Sequence, residues 1–408
     1  MKILILSPLF PPNYIGGAEV VAYELGKWLA GRGHEVSVLT TAAEGAPEQE
    51  DGPEEGMRVW RLRFPRPYTI RDHAHHGGVR KLEWHARDQI DPANLPLVAR
   101  VVDAVRPDVV NIHGLQGIGY NAPLVFAKRD LPVVYSLHDH SLACLRVSLF
   151  KDGKRCEALH APCAVTQAWK WHCLDKIPRL AFLALSEALY RDLDKFVPTH
   201  TRRRAVIPPP MAFPRPDPAT VPPRPDCPHF LYVGRLQAIK GVDVLLRAAR
   251  RLAATGRRFR VSVVGRGPDG EALQAEFGAE PWVRFVGFVP NAEVGAQMMA
   301  ADLLCAPSVF PEPFGLVIYQ ALSLGLPVAA SDAGGIPELV TDGQNGRLIP
   351  MGDEAAWEKI LGELCDDPER LRALRAGAVR QAGDFDPDAL GERVVAIFRE
   401  TIADPVPA

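Results

Sequence analysis

Residues 208–228 hold ten prolines, at 208, 209, 210, 214, 216, 218, 222, 223, 225 and 228. A stretch of that composition forms neither a helix interior nor a central strand, because proline lacks the amide donor and fixes its own φ. It reads as a stiff, extended linker. A chain of 408 residues is in any case too long for one ordinary core. The prolines therefore mark where it divides: a domain over 1–207, a linker over 208–228, a second domain over 229–385, and a tail at 386–408.

Each side of the linker alternates strands with helices. Before it, apolar, β-branched runs at 3–7, 35–40, 59–63, 109–113 and 133–138 are separated by helical periodicity such as that of 17–30. After it, runs at 229–233, 260–265, 283–286, 301–306 and 327–330 follow the same rhythm, with a helix at 242–254. Continuous apolar strands joined by helices indicate parallel sheets covered on both faces. The expectation is α/β: two doubly wound, Rossmann-like domains facing each other across a cleft at the carboxyl ends of their strands. The tail reads as a last amphipathic helix to residue 402, with Asp386 as N-cap and Pro387 as first helical residue. It is expected to pack back towards the first domain.

Composition excludes several classes. The apolar fraction of 47% and charged fraction of 24% are those of a globular protein, and a net charge of −2 implies no nucleic-acid-binding surface. No apolar run approaches the roughly 18 residues of a membrane span. The first residues run straight into a strand pattern without a cleavable signal, so a cytoplasmic protein is expected.

Three strand-to-helix or strand-end loops carry chemistry. In Ser7-Pro-Leu-Phe-Pro-Pro-Asn-Tyr-Ile-Gly16-Gly17-Ala18-Glu19, two glycines clear side chains from a helix N-terminus, where an anion or sugar could sit. In Gly234-Arg235-Leu-Gln-Ala-Ile-Lys240-Gly241, two cations stand at the mouth of the loop. Ser136-Leu-His138-Asp139 ends a strand with a histidine. Taken singly, each has a plain alternative: an ordinary turn, two solvated cations, a capped strand end. The most informative stretch is Ser308-Val-Phe-Pro-Glu312-Pro-Phe314-Gly315-Leu316-Val, followed by Gly334-Gly-Ile-Pro-Glu338. There a carboxylate stands just before a helix start, whose free N–H groups suit a sugar next to a phosphate.

In order and spacing these motifs resemble those of glycosyltransferase family 4, retaining enzymes of the two-domain GT-B fold. The resemblance spans nearly the whole chain. It implies that the first domain binds the acceptor and the second a nucleotide-sugar donor, a UDP-, GDP- or ADP-sugar. It implies that Arg235 and Lys240 bind the donor diphosphate and that Glu312 contacts hydroxyls of the donor sugar, with the amides of Phe314, Gly315 and Leu316 nearby. His138 would lie beside the transferred sugar, and Gly16 and Gly17 would let donor phosphates and acceptor approach. Catalytic roles fall on His138 and Glu312. The acceptor would carry a hydroxyl and could be lipid-linked, as in cell-surface glycan synthesis.

One position departs from the family pattern. The glutamate expected on the ribose hydroxyls falls at 320, which is Gln320. A carboxylate accepts both ribose hydroxyls through charge-assisted bonds, whereas an amide offers one acceptor and one N–H donor. The cost is about 1–2 kcal/mol of nucleotide binding, tenfold or more in affinity. Gln320 is also the one feature that favours a non-catalytic, degenerate transferase serving as a partner in a glycan-assembly complex.

Neither an obvious nucleophile nor an Asp-x-Asp at a strand end stands in the second domain. Same-face transfer follows as the expectation, with the leaving diphosphate taking the acceptor's proton, Arg235 and Lys240 supplying the positive charge, and no metal or other cofactor required for catalysis.

The chain has seven cysteines, four of them, Cys144, Cys156, Cys163 and Cys173, in a segment at 141–175 of the first domain. Their spacing lacks a C-x2-C knuckle, and three readings stay open: structural zinc, a disulfide, or buried free thiols. The run Trp169-Lys170-Trp171-His172 and residues 176–185 mix aromatic, basic and apolar side chains. They could pack on their own domain or touch the inner face of a membrane.

Overall fold

The computed structural model describes residues 1–13, 16–45, 48–151, 153–214 and 227–405. The chain divides into two compact units, Met1–Met211 with Pro387–Ala408, and Ala212–Asp386. Residues 215–226, most of the proline-rich stretch, lie outside the described residues. At its near end Ile207 and Met211 are buried, so residues 208–211 belong to the first unit rather than to a free linker.

The first unit holds β1 (Lys2–Leu6), β2 (Glu35–Thr41), β3 (Gln49–Glu54), β4 (Met57–Leu62), β5 (Val109–Ile112), β6 (Val133–Leu137), a small hairpin of β7 (Phe150–Lys151) and β8 (Lys154–Arg155), β9 (Leu180–Ala184) and β10 (Arg203–Val206). Its main sheet runs β10-β9-β6-β5-β1-β2-β4-β3. Only β3 pairs antiparallel, with β4. The alternation of side chains along β1 shows why the sheet is covered twice. Ile3 and Ile5 enter one apolar cluster, and Leu4 and Leu6 enter the other. All four are fully buried, each worth about 1.5–3 kcal/mol of transfer free energy.

The second unit holds β11 (His229–Val233), β12 (Arg260–Val264), β13 (Val283–Gly287), β14 (Leu303–Ala306), β15 (Val328–Ser331) and β16 (Gly346–Ile349). They form one sheet in the order β13-β12-β11-β14-β15-β16, parallel at every pairing. Helix Val242–Ala254 shows the pattern that packs it there: Val242, Leu245, Leu246, Ala249 and Leu252 make a buried stripe at helical spacing. Its opposite face carries Arg247, Arg250 and Arg251, which pair with Glu354, Glu280 and Glu358.

The C-terminal helix Pro387–Ala403 belongs to the first unit. Leu390, Val394, Val395 and Phe398 join Ile3, Ile5, Leu25 and Leu29 in one cluster. Trp28 Nε1 donates to Asp388 Oδ1 at 2.9 Å, and Arg203 pairs with Glu400 and Asp404.

Each sheet reverses its winding at one place. β1 lies between β2 and β5, and β11 lies between β12 and β14. In open parallel sheets, ligands bind at the carboxyl ends of the strands flanking such a reversal. The loops singled out in the sequence follow β1, β6, β11 and β14, on or next to those reversal strands.

Candidate active site

In the second unit the loops after β11 and β14 are pressed together by close backbone contact. Gly241 has φ 65°, and a Cβ there would stand 2.0 Å from the Pro307 carbonyl oxygen. Only glycine suits both the left-handed conformation and that approach. The Val309 N–H donates to Ile239 O at 3.0 Å, closing the seam. Across it Lys240 Nζ donates to Glu312 Oε1 at 2.6 Å, and Ser308 Oγ donates to the same oxygen at 2.6 Å. Lys240 also stands 4.7 Å over the Phe310 ring. The main chain of Glu312 is fixed as well. Gly335 N–H donates to its carbonyl at 2.7 Å, and Gly334, at φ 61°, leaves no room for a Cβ, which would lie 2.1 Å from the same carbonyl oxygen. Glu312 Oε2 accepts no bond from any described residue.

Gly315 precedes helix Leu316–Ser323. Phe314 is buried against Tyr319, ring centroids 5.6 Å apart. Gln320 lies on that helix and is 8% exposed; its amide makes no hydrogen bond to a described residue. Arg235 is exposed and has no ion-pair partner among the described residues. Its carbonyl accepts from Tyr232 Oη at 2.9 Å.

In the first unit Gly16 and Gly17 open helix Gly17–Gly31. The Glu19 carboxylate accepts from Gly16 N–H at 3.1 Å, closing the helix start. Burial holds the Glu19 pKa above the usual carboxylate range, and the charge of Asp139 adds to the shift. Asp139 Oδ1 accepts from Ser141 N–H at 2.7 Å. His138 Nε2 lies 2.8 Å from His113 Nδ1, while His138 Nδ1 is buried with no partner among the described residues. Burial lowers the His138 pKa to about 4 and holds His113 well below its ordinary value.

Two groups beside these were not read from the sequence as site residues. His113 follows β5, and the two-residue step from Asn111 to His113 at a strand end was the available signal. Lys170 belongs to helix Ala161–Asp175. It is buried, donates to Ser141 O at 2.5 Å and stands 4.2 Å over the Tyr120 ring. Burial lowers its pKa to about 8, against the pull of Asp88 and Asp139. Nothing in the sequence distinguishes this lysine from the chain's other surface-type cations.

The segment at 141–175 places its four cysteines apart. Cys144, Cys156 and Cys163 line one cavity of about 210 Å³ together with His160, but Cys173 does not. Cys173 is buried in the core, where burial raises its thiol pKa to about 12. Among the described residues no three His, Cys, Asp or Glu side chains are placed to hold a metal ion, and all seven cysteines are free. Cys144, Cys156, Cys163 and Cys173 thus do not converge on one point among the described residues.

The stretches 169–172 and 176–185 pack on their own domain at several points. Trp169 Nε1 donates to Gln89 O at 2.7 Å, Trp171 packs on the core near Phe182, and residues 180–184 are the buried strand β9. No helix among the described residues is long and apolar enough to cross a membrane.

Two parallel α/β units with loops of this kind define a GT-B glycosyltransferase. Solved structures agree on the fold. Sucrose-phosphate synthase from Thermosynechococcus elongatus superposes with a TM-score of 0.75 at 20% identity, covering 98% of this chain and 99% of that one. Anabaena HepE, solved in complex with UDP and glucose, gives 0.68 at 22% identity over 98% and 99%. The profile of Glycosyltransferase Family 4 matches residues 15–211, and that of Glycosyl transferases group 1 matches 227–367. The chain is 30% identical to the D-inositol 3-phosphate glycosyltransferase of Thermobispora bispora, over 97% of this chain and 93% of that protein. With the Nocardia farcinica protein of the same name it shares 40% over 39% of this chain and 37% of that one. The chain belongs to glycosyltransferase family 4.

Proposed function

We propose that this glycosyltransferase moves a hexosyl group from a nucleoside-diphosphate sugar to a hydroxyl acceptor, with retention of configuration and without a divalent ion. One observation carries the reading: Glu312 is fixed by Lys240 and Ser308 on one oxygen, leaving the other to accept from a sugar hydroxyl. A carboxylate already oriented needs no reorganisation when the sugar arrives. Lys240 and the exposed Arg235 supply positive charge where the diphosphate departs. The amides at Phe314, Gly315 and Leu316 and the open backbone at Gly16 and Gly17 would take phosphate and sugar oxygens. His138, uncharged at neutral pH, would contact the transferred sugar without acting as an acid. The leaving diphosphate oxygen would take the acceptor's proton.

The HepE complexes with UDP and with UDP-glucose support a uridine donor, ahead of GDP- or ADP-sugars. The full-length relative named for D-inositol 3-phosphate supports a phosphorylated polyol as acceptor, ahead of a lipid-linked sugar of a cell-surface glycan.

A thermal-shift panel of UDP-, GDP- and ADP-sugars, followed by transfer to D-inositol 3-phosphate, tests this. Stabilisation by a UDP-sugar, a product of retained anomeric configuration and full activity in EDTA are expected. Absence of any shift would favour the non-catalytic alternative that Gln320 suggests. Inverted product or loss of activity in EDTA would overturn the mechanism.

A further inference from the structure

The hydrogen-bond chain behind His138 can be read for its protons. Asn111 Nδ2 lies 3.0 Å from Val134 O. A main-chain carbonyl only accepts, so the amide nitrogen must face it, and Nδ2 also reaches Ser136 Oγ at 2.9 Å. Asn111 Oδ1 therefore faces His113 Nε2, at 2.7 Å. An amide oxygen only accepts, so that His113 nitrogen carries a proton. A neutral imidazole has one N–H, which leaves His113 Nδ1 bare. His138 Nε2, 2.8 Å away, must then carry the proton shared between the two rings. The remaining nitrogen of His138, Nδ1, is consequently bare as well, and it is the atom without a partner.

We propose that His113 is a positioning residue: with Asn111 it fixes the tautomer of His138, so that Nδ1 is offered as a hydrogen-bond acceptor and never as a donor. The same contact excludes a doubly charged pair. Were both rings charged, two N–H groups would face each other at hydrogen-bond distance. Burial of both rings acts in the same direction. A sugar hydroxyl reaching His138 thus meets an acceptor, which selects a donating hydroxyl over an ether or carbonyl oxygen at that point. The anchor of the chain is the register that sets Asn111 beside Val134 in the parallel pair β5–β6.

The inference rests on the placement of His138 at the reacting sugar, and its test separates the two. Ring nitrogen-15 labelling of histidine in the full chain, read by long-range proton–nitrogen correlation at neutral pH, reports each tautomer. His138→Asn and His113→Gln assign the signals. Both His113 and His138 are expected neutral with the proton on Nε2. In His113→Leu the single-tautomer pattern of His138 should vanish, and kcat should fall about tenfold, as expected for loss of one neutral hydrogen bond, with donor KM little changed. His113→Gln keeps an acceptor oxygen and should restore part of both.

A proton on His138 Nδ1, a charged His138, or an unchanged His138 pattern in His113→Leu would overturn the proposal. So would full activity in His113→Leu where His138→Asn is impaired. If the spectra come out as expected but His138→Asn transfers sugar normally, the relay stands and the placement of His138 falls.

Discussion

Both side-chain bonds of Glu312 fall on one oxygen, and its neighbours therefore fail in different ways. In Glu312→Gln the charge that holds Lys240 is gone and the free acceptor is lost or turned into a donor. Charge-assisted bonds are worth about 1.5–3 kcal/mol, so kcat/KM should fall about 10–100-fold while nucleotide affinity, measured by titration calorimetry with UDP, stays within about threefold. Gln320→Glu should do the opposite. It should tighten UDP about tenfold with little effect on kcat; an unchanged dissociation constant would disconnect residue 320 from the ribose. The histidine pair sets an acid limit on stability. Its members bind fewer protons folded than unfolded, since burial takes His138 from 6.5 to about 4 and His113 moves the same way. Stability is therefore whole above about pH 6.5 and declines as pH falls towards 4, by up to about 1.4 kcal/mol per pH unit for each group. Urea midpoints measured across that window should fall for the native chain and fall less steeply for His138→Leu.

The loops hold their residues through main-chain contacts between elements, so at this scale the glycines matter more than the acids. Gly334→Ala puts a methyl where the Glu312 carbonyl oxygen already lies, at a φ that disfavours any side chain. A cost of about 1–3 kcal/mol is expected, with a lower melting temperature. Activity should fall further than stability alone explains, because Glu312 must move. If Gly334→Ala melts and turns over like the native chain, the seam does not position Glu312. Much of this was legible in sequence. Gly334-Gly-Ile-Pro-Glu338 and Gly234-Arg235-x4-Lys240-Gly241 state their glycines openly, and the strand runs β1, β2, β5, β6, β11 and β12 announce themselves by short, mostly apolar stretches rich in β-branched or aromatic residues. What escaped did so for physical reasons. Strand β9 is a short run, Leu-Ala-Phe-Leu-Ala, apolar on both faces; such a run carries no period that separates strand from helix or from a membrane-facing stretch. The His113 relay depends on which residue of β6 lies beside Asn111, a lateral register that no local pattern encodes. Nor does sequence proximity of the cysteines amount to convergence: Cys173 lies on the buried side of its helix, away from the cavity that takes the other three.

At the scale of the whole molecule the chain leaves its first unit near residue 211 and returns to it at 387. The returning helix is not an appendage, since Phe398 is fully buried and the helix packs against β6, β9 and helix Gly17–Gly31. It thereby closes the first unit with residues that are made only after the whole second unit has been synthesised. Replacing a buried phenylalanine by alanine costs about 3–5 kcal/mol through lost burial and the cavity left behind. In Phe398→Ala that cost should fall on one unit only. Amide hydrogen exchange read by mass spectrometry should rise across peptides of Met1–Met211 and in the C-terminal helix, β6, β9 and helix Gly17–Gly31 foremost, while peptides of Ala212–Asp386 keep their native protection. Binding of a UDP-sugar through Glu312, Lys240 and Arg235 should persist, because those residues belong to the unit that is spared. Transfer should weaken, because Gly16, His113 and His138 stand on the loosened sheet. Equal loss of protection in both units would show that the two fold as one cooperative block and that the returning helix stabilises the entire chain.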